Sequence, residues 1–227
     1  MSVDQRRLVA LAAAIAALAA FALLTVNVVA VGASAWDRTL FRQLYSGESD
    51  WTGGRTPGQS DAVLNGAEPI LHRLADARVL LLLVVAIFVT LVLLRRARAA
   101  AFFTAAVAIT AFVSPLKQLV ERPSPFPLPH DFSFPSGHAT LSMTIAAGVV
   151  AVARGRWRRV AVVLGALLVL AVGVAVIADS GHWPSDVLAG WCLALAWVAT
   201  LYAVAGRWLE GSADRLSVVQ PRAAGSG

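Results

Sequence analysis

The chain has 227 residues, of which 58% are hydrophobic and 14% are charged, and its mean hydropathy is +0.72. This composition excludes an ordinary soluble globular domain and indicates a multi-pass membrane protein. The net charge of +6 comes from 18 arginines and one lysine, which lie in short clusters between apolar segments. Such clusters are typical of membrane topology signals. A nucleic-acid-binding face is the less favoured alternative, so we expect no nucleic acid among the partners.

The first apolar segment, residues 8–35, carries no charge and follows Arg6 and Arg7. About 20 apolar residues are enough for a helix to cross a bilayer, so this segment is long enough to do so. Its end, Ala33-Ser34-Ala35, has the small-x-small pattern of a signal-peptide cleavage site, which leaves a cleaved signal peptide as the alternative. The apolar run is about twice as long as an ordinary signal-peptide core. We therefore favour a retained N-terminal transmembrane helix over residues 1–35.

Residues 36–76 form the one long polar region and predict a loop. The start of this region also has apolar positions at helical spacing, opposite the polar side chains of Asp37, Arg38 and Arg42. The pattern predicts a short helix that either lies in the membrane interface or packs on the bundle. The apolar positions are Trp36, Leu40, Phe41, Leu44 and Tyr45. His72 has no partner motif, and we interpret it as a surface histidine.

Five further apolar segments predict five more membrane-spanning helices. They cover residues 79–94, 100–116, 139–153, 160–178 and 186–205. The five prolines between residues 121 and 135 predict a loop there, because proline is poorly tolerated inside a helix. The predicted fold is therefore an all-α bundle of six transmembrane helices, with residues 77–206 as the part that follows the loop and residues 207–227 as a polar tail.

The arginines predict the orientation of this bundle. With six spans, the N-terminus, the turns at 95–98 and 154–159 and the C-terminal tail lie on one side, and they hold 12 of the 19 cationic residues. The positive-inside rule makes that side cytoplasmic. The loop of residues 36–76 is then extracytoplasmic. We expect a multi-pass protein of a bacterial plasma membrane.

The stretch of residues 134–139 predicts a helix N-terminus that binds phosphate. Pro135 ends the preceding segment, Ser136 is a strong N-cap, and Gly137 lets the backbone approach a ligand closely. His138 falls in the first helical turn. Free N–H groups and the positive end of the helix dipole favour an anion at this position.

Two further clusters belong to the same predicted end of the bundle. Residues 182–186, His-Trp-Pro-Ser-Asp, place a carboxylate about one turn beyond a histidine, close enough to hold its imidazole. Lys117, the only lysine, and Arg122 follow the end of an apolar segment. His130 and Asp131 lie in the neighbouring loop, and a contact between them and the substrate is the less favoured interpretation.

Together these clusters resemble the type 2 phosphatidic acid phosphatase (PAP2) family of membrane lipid phosphatases, over roughly residues 80–206. That family shares its site with vanadium haloperoxidases and bacterial acid phosphatases. The resemblance implies that His182 is the nucleophile, that Asp186 orients it, and that His138 is the general acid. The phosphate ligands that it implies are Lys117, the Ser136 hydroxyl and the Gly137 N–H.

The chain departs from the PAP2 pattern at two arginines. Counted from Lys117, the arginine of the first motif falls on Ser124, and Arg122 lies two positions upstream. The arginine position of the third motif holds Val176. We expect Arg122 to replace part of the missing contact as a phosphate ligand. The alternative is a weakly active or inactive protein that binds phospholipid headgroups.

These residue types suit phosphoryl transfer, which needs an in-line nucleophile, donors for the equatorial oxygens and a proton for the leaving oxygen. We expect hydrolysis of a lipid phosphate monoester or diphosphate through a phosphohistidine on His182, at the extracytoplasmic face and without a metal or other cofactor. Cys192 is the only cysteine, which excludes a cysteine-rich metal site. A transporter or a purely structural bundle would place polar residues at the midpoints of spans, where few occur.

Overall fold

The structure is a computed structural model, and it describes residues 2–44, 70, 73, 76–125, 132–178 and 181–210. Over these residues the regular secondary structure is helical, apart from an isolated antiparallel bridge between Pro123 and Phe132. The predicted all-α class is confirmed for this part of the chain.

The helices follow the predicted apolar segments closely. In chain order they are α1 (Val3–Val31), α2 (Ala35–Leu44), α3 (Ala77–Leu93), α4 (Ala97–Val107), α5 (Val113–Val120), α6 (Gly137–Val152), α7 (Arg156–Ala178) and α8 (Pro184–Glu210). A 3₁₀ segment, Ala108–Phe112, joins α4 to α5, so residues 97–120 form one continuous helical segment.

Local sequence explains where the first helix begins and ends. Ser2 caps α1 reciprocally with Gln5: the Gln5 N–H donates to the Ser2 hydroxyl at 3.2 Å, and the Ser2 N–H donates to the Gln5 side chain at 2.8 Å. The helix ends at Gly32, whose φ of +71° lies in the region that glycine adopts without strain. The chain can therefore turn there and begin α2 within a few residues.

Four helical segments are long and apolar enough to cross a membrane, judged by length and composition: α1, residues 97–120, α7 and α8. The apolar helices α3 and α6 have 17 and 16 residues, which at 1.5 Å per residue reach about 25 Å, somewhat less than a hydrocarbon core of about 30 Å. The outer faces of these helices expose large apolar side chains, as a protein surrounded by lipid requires. The count of six spans stays a prediction.

Helix α6 packs against both α7 and α8, and α1 packs along α8 while α4 packs against α6. Small residues allow the close approaches. A Cβ atom built at Gly165 of α7 would lie only 2.9 Å from the Cβ atom of Ala146 on α6. The backbones can come this close because the glycine has no side chain, which is a common device in membrane helix packing.

Helix α2 forms where it was predicted, but its faces differ from the prediction. It packs on α7 and α8, so of the two placements considered the structure has the packed one. Asp37, assigned to the polar outer face, is 1% exposed, while Trp36 is 48% exposed, and this part of the prediction was wrong. The cause is a buried arginine from a distant segment, which makes an inward carboxylate favourable.

Two helix ends also differ from the predicted ones. Helix α5 continues to Val120, so Lys117 lies in its last turn and does not follow it. Helix α8 continues to Glu210, so the predicted start of the polar tail at residue 207 falls inside a helix. The predictions for His72, for His130 and Asp131, for most of the loop of residues 36–76 and for the rest of the tail lie outside the described residues.

Candidate active site

The first part of the site is the N-terminus of α6. Ser136 caps this helix: its hydroxyl accepts the Ala139 N–H at 3.3 Å, and the residue is fully buried. Gly137 and His138 follow in the first turn, and both are half-buried. The helix dipole and the free N–H groups of this turn favour an anion here.

The N-terminus of α8 lies directly against that of α6. The Ser136 N–H donates to the Asp186 carbonyl oxygen at 3.0 Å. One turn further along α8, a Cβ atom at Gly190 would lie 2.7 Å from the Ser136 carbonyl oxygen and 3.0 Å from the Thr140 nitrogen. Only glycine fits at this crossing without displacing backbone, so Gly190 sets the distance between the two helix ends.

His182 and Asp186 form the second part of the site. His182 is 7% exposed, and its Nδ1 atom lies 3.7 Å from Asp186 Oδ2. That separation is longer than a hydrogen bond, and within the described residues Nδ1 has no hydrogen-bond partner. Asp186 itself is held firmly, because Oδ2 accepts the Trp183 N–H at 2.8 Å at the start of α8. Catalytic hydrogen bonds are often long without substrate and tighten when it binds.

A buried arginine lies on the other side of Asp186. The Arg122 guanidinium donates through Nη1 to Asp186 Oδ1 at 2.5 Å and to the Ser185 hydroxyl at 2.7 Å. Through Nη2 it donates to Asp37 Oδ2 at 2.9 Å and to the Gly32 carbonyl at 3.1 Å. Arg122 therefore joins Asp37 to Asp186, and we call these three residues the carboxylate clamp. Its guanidinium is 2% exposed and engaged with two carboxylates.

Asp37, like Asp186, is held by several hydrogen bonds. Oδ1 accepts the Ser185 N–H at 2.9 Å, and Oδ2 accepts the Ser34 N–H and hydroxyl at 3.2 Å. Burial raises the pKa of Asp37, but the hydrogen bonds from Ser185 and the Arg122 guanidinium outweigh burial and hold this pKa below its ordinary value of 3.8. Because folding lowers this pKa, the ionised carboxylate stabilises the folded state at pH values above the ordinary pKa. This stabilisation is lost as the pH falls through the lowered pKa.

Lys117 approaches the site from a third helix. It is half-buried in the last turn of α5, one turn after Val113. The Val113 side chain would lie 3.6 Å from a Cβ atom at Gly137, so α5 contacts the N-terminus of α6. The structure therefore brings the predicted residues of α5, α6 and α8 to one end of the bundle.

The two positions at which the PAP2 pattern has an arginine hold buried side chains in this chain. Ser124 is 3% exposed, beside the clamp in sequence. Val176, in the last turn of α7, is 5% exposed and belongs to an apolar cluster that includes Val172, Ile177 and Val187. The side chain at position 176 contributes packing and brings no donor to the site.

A sequence model of the PAP2 superfamily matches residues 98–210, which run from the start of α4 to the end of α8 and include all of the predicted site residues. The chain belongs to the PAP2 superfamily. Among solved structures it is similar to a transmembrane PAP2-type phosphatidylglycerolphosphate phosphatase from Bacillus subtilis, with a TM-score of 0.65 and 18% sequence identity over 93% of this chain and 99% of the other. At that identity the likeness establishes the membrane PAP2 fold. A comparison with curated proteins gave no match.

Sequence reasoning missed three residues that shape the candidate site: Asp37, Ser185 and Gly190. A signal for Asp37 was present, because Ser34 and Asp37 have the spacing of a helix capping box, and their backbone and side chains do bond reciprocally. Nothing local could have paired Asp37 with Arg122, which is 85 residues away. Gly190 looked like any small residue of an apolar helix.

Proposed function

We propose that this protein is an integral membrane phosphatase that hydrolyses a lipid phosphate monoester or diphosphate through a phosphohistidine on His182. One observation carries the proposal. In a PAP2 membrane fold, the buried His182 lies beside Asp186, and the Asp186 backbone carbonyl accepts the Ser136 N–H at the start of α6, a helix N-terminus suited to phosphate.

The reaction has two steps. First, the neutral imidazole of His182 attacks phosphorus through Nε2, while its Nδ1–H closes on Asp186. The bond between phosphorus and the leaving oxygen breaks, and protonated His138 gives that oxygen its proton. In the second step His138 takes a proton from water, which attacks phosphorus and breaks the bond to His182. Inorganic phosphate leaves and the two histidines return to their starting forms.

The phosphate oxygens are bound by Lys117, the Ser136 hydroxyl and the Gly137 N–H in this proposal. Charge-assisted hydrogen bonds of this kind are about twice as strong as neutral ones. No step in the proposal requires a metal or another cofactor.

The carboxylate clamp changes the role that we propose for Arg122. A guanidinium engaged with Asp37 and Asp186 is poorly placed to be the replacement phosphate ligand that the sequence suggested. We assign it instead the task of fixing Asp186, and through Asp186 the imidazole of His182. The cationic contact with the substrate is then left to Lys117.

The site faces the extracytoplasmic side in this proposal, with six spans and both termini in the cytoplasm of a bacterial plasma membrane. The support is that the arginine-rich turns at residues 95–98 and 154–159 follow the ends of α3 and α6 that lie away from the candidate active site. Reporter fusions at Gly54 and Arg156 should report opposite sides of the membrane. Agreement between them would contradict the topology.

The substrate class is a lipid phosphate whose headgroup reaches the membrane surface. Candidates are phosphatidylglycerol phosphate, for which the similar Bacillus subtilis protein is named, other phosphatidate-like lipids, and polyprenyl phosphates or diphosphates. A second function is favoured by Ser124 and Val176, where the family arginines are absent. With fewer cationic donors, the protein could bind phospholipid headgroups without turning them over.

Purified protein in detergent, given this panel of lipids without added metal, tests the proposal through the release of phosphate. We expect the wild type to release phosphate, His182→Ala to release none, and His138→Ala to be slower by about 10²–10⁴. Release by His182→Ala at the wild-type rate would remove the nucleophile from the proposal. Lipid binding without any release by the wild type would favour the second function.

A further inference from the structure

A cavity of about 530 Å³ lies at the end of the bundle opposite the candidate active site. It is lined by the first residues of α1 and α7, by Arg96 just before α4, and by the last residues of α6 and α8. The candidate active site lies at the other ends of α6, α7 and α8. The cavity is therefore separate from the candidate active site, and what it binds is independent of the proposed phosphatase activity.

The lining of this cavity is strongly basic. It contains five arginines and two carboxylates, which leaves a net charge of +3. The arginines are Arg6, Arg96, Arg154, Arg158 and Arg207, and the carboxylates are Asp4 and Glu210.

The two carboxylates are already engaged. Glu210 pairs with Arg6 at 3.3 Å, and Asp4 pairs with Arg207 at 2.7 Å. Two of the remaining arginines bond to neutral backbone carbonyls at helix ends: Arg96 donates to the Val152 carbonyl at 2.6 Å, and Arg154 donates to the Leu209 carbonyl at 3.3 Å. Carbonyl groups orient these guanidinium groups but do not neutralise them.

Like charges face each other as a result. Burial and the repulsion from Arg154 both lower the pKa of Arg96. Arg158 adds a third positive charge to the same cavity. An anion bound among these three arginines would offset the repulsion, and phosphate is the anion whose geometry guanidinium groups match best.

Two tryptophans indicate how deep in the membrane this cavity lies. Trp157 and Trp208 are 61% and 47% exposed, each next in sequence to an arginine of this end. The guanidinium of Arg156 lies over the Trp157 ring at 5.3 Å, and that of Arg98 lies over the Trp208 ring at 5.5 Å. Tryptophans are enriched at the headgroup level of a bilayer. The cavity therefore opens where lipid phosphates are concentrated.

We propose that this cavity binds the headgroup phosphate of an anionic phospholipid through Arg96, Arg154 and Arg158. The acyl chains of such a lipid would lie along the exposed apolar faces of the neighbouring helices. Basic cavities between membrane helices bind anionic lipid headgroups in this way.

Native mass spectrometry of the purified full chain in neutral detergent tests the proposal. The protein is titrated with phosphatidylglycerol, with phosphatidylcholine, and with phosphatidylglycerol in the presence of inorganic phosphate. Phosphatidylglycerol is a phosphodiester, so it lies outside the proposed substrate class. We expect phosphatidylglycerol to bind in preference to phosphatidylcholine, and inorganic phosphate at equal concentration not to displace it.

The test variant is Arg154→Gln with Arg158→Gln, and the matched control is Arg95→Gln with Arg159→Gln, which removes two exposed arginines of the same end that do not line the cavity. At about a fivefold effect per arginine, the test variant should bind phosphatidylglycerol roughly 25-fold more weakly, with the control unchanged. Arg158→Gln alone leaves the bond from Arg154 to α8 intact and should lose roughly fivefold. Equal loss in both double variants, no preference for phosphatidylglycerol, or displacement by inorganic phosphate would overturn the proposal.

Discussion

Arg122 is the residue whose interpretation the structure changes most. The sequence suggested a loop arginine that reaches phosphate, but its guanidinium is buried between Asp37 and Asp186. Both carboxylates also accept backbone N–H groups at the starts of helices, so their positions are set from several directions. In the proposed mechanism, an arginine held in this way acts on the reaction through the geometry of Asp186.

The clamp predicts a specific kinetic signature at the residue scale. Arg122→Gln and Asp37→Asn should lower kcat by about 10², because a catalytic group displaced by about 1 Å can lose that much, while KM changes little. Arg122→Lys keeps the positive charge but lacks the planar guanidinium that donates to both carboxylates. It should therefore recover only part of kcat. Steady-state kinetics on a lipid phosphate, with thermal unfolding of each variant, measure both effects.

Arg38→Gln is the matched control, since Arg38 follows Asp37 but its side chain is exposed. It should behave as the wild type. If Arg122 instead contacted phosphate, Arg122→Gln would raise KM and weaken inhibition by inorganic phosphate. That result would contradict the positioning role.

At the scale of helices, the site depends on the contact between the starts of α6 and α8. Gly190→Ala should push the Ser136 carbonyl and the Thr140 nitrogen away, because a Cβ atom would lie 2.7 and 3.0 Å from them. Overpacking of this kind costs about 1–3 kcal/mol, which outweighs the usual gain of about 0.5–1 kcal/mol from replacing a helical glycine by alanine. Thermal unfolding and kcat should both fall.

Gly206→Ala provides the comparison on the same helix. There the nearest atom, Arg7 Cγ, lies 3.4 Å from the added Cβ atom and belongs to a flexible side chain. We expect no loss of stability or activity. Equal behaviour of the two variants would show that Gly190 does not set the helix contact.

Val176 tests whether the missing family arginine can be restored. A gain in turnover from Val176→Arg would need room for the new side chain, but Val176 is 5% exposed within an apolar cluster. An arginine there would be buried without a carboxylate partner, at a cost of several kcal/mol. We expect a lower unfolding temperature and no gain in phosphate release. The neutral, similarly long Val176→Met should be milder in both measurements, and a faster enzyme with Arg would contradict the account.

The positions of the helices could be predicted from the sequence, but the contacts between distant segments could not. Apolar segments bounded by arginines located the helices, and the cap at Ser136 and the proline at 184 located two helix starts, because these signals are local. The burial of the Asp37 side chain could not be predicted from local signals. Periodicity placed Asp37 opposite the apolar face of α2, and only a charge from Arg122, 85 residues later, makes its burial favourable. The crossing at Gly190 likewise depends on which helices meet.

At the scale of the whole molecule, the two ends of the bundle have different chemistry. One end holds His182, Asp186 and the start of α6, which we propose binds phosphate. The other end holds a basic cavity and two exposed tryptophans. A membrane-embedded bundle keeps these ends about one bilayer apart, so we expect variants of the basic cavity to leave phosphate release unaffected.

The central claim is that His182 carries the phosphoryl group, and trapping that intermediate tests it most directly. The enzyme with His138→Ala is mixed with p-nitrophenyl phosphate, whose leaving group needs no proton, and is quenched in base because phosphohistidine is labile in acid. Phosphoryl transfer to His182 should then proceed, while the second step lacks the base that activates water. The account predicts a phosphoryl group on His182, located by mass spectrometry of the peptides. A phosphoryl group on another residue, or none on His182 while p-nitrophenol is released, would contradict it.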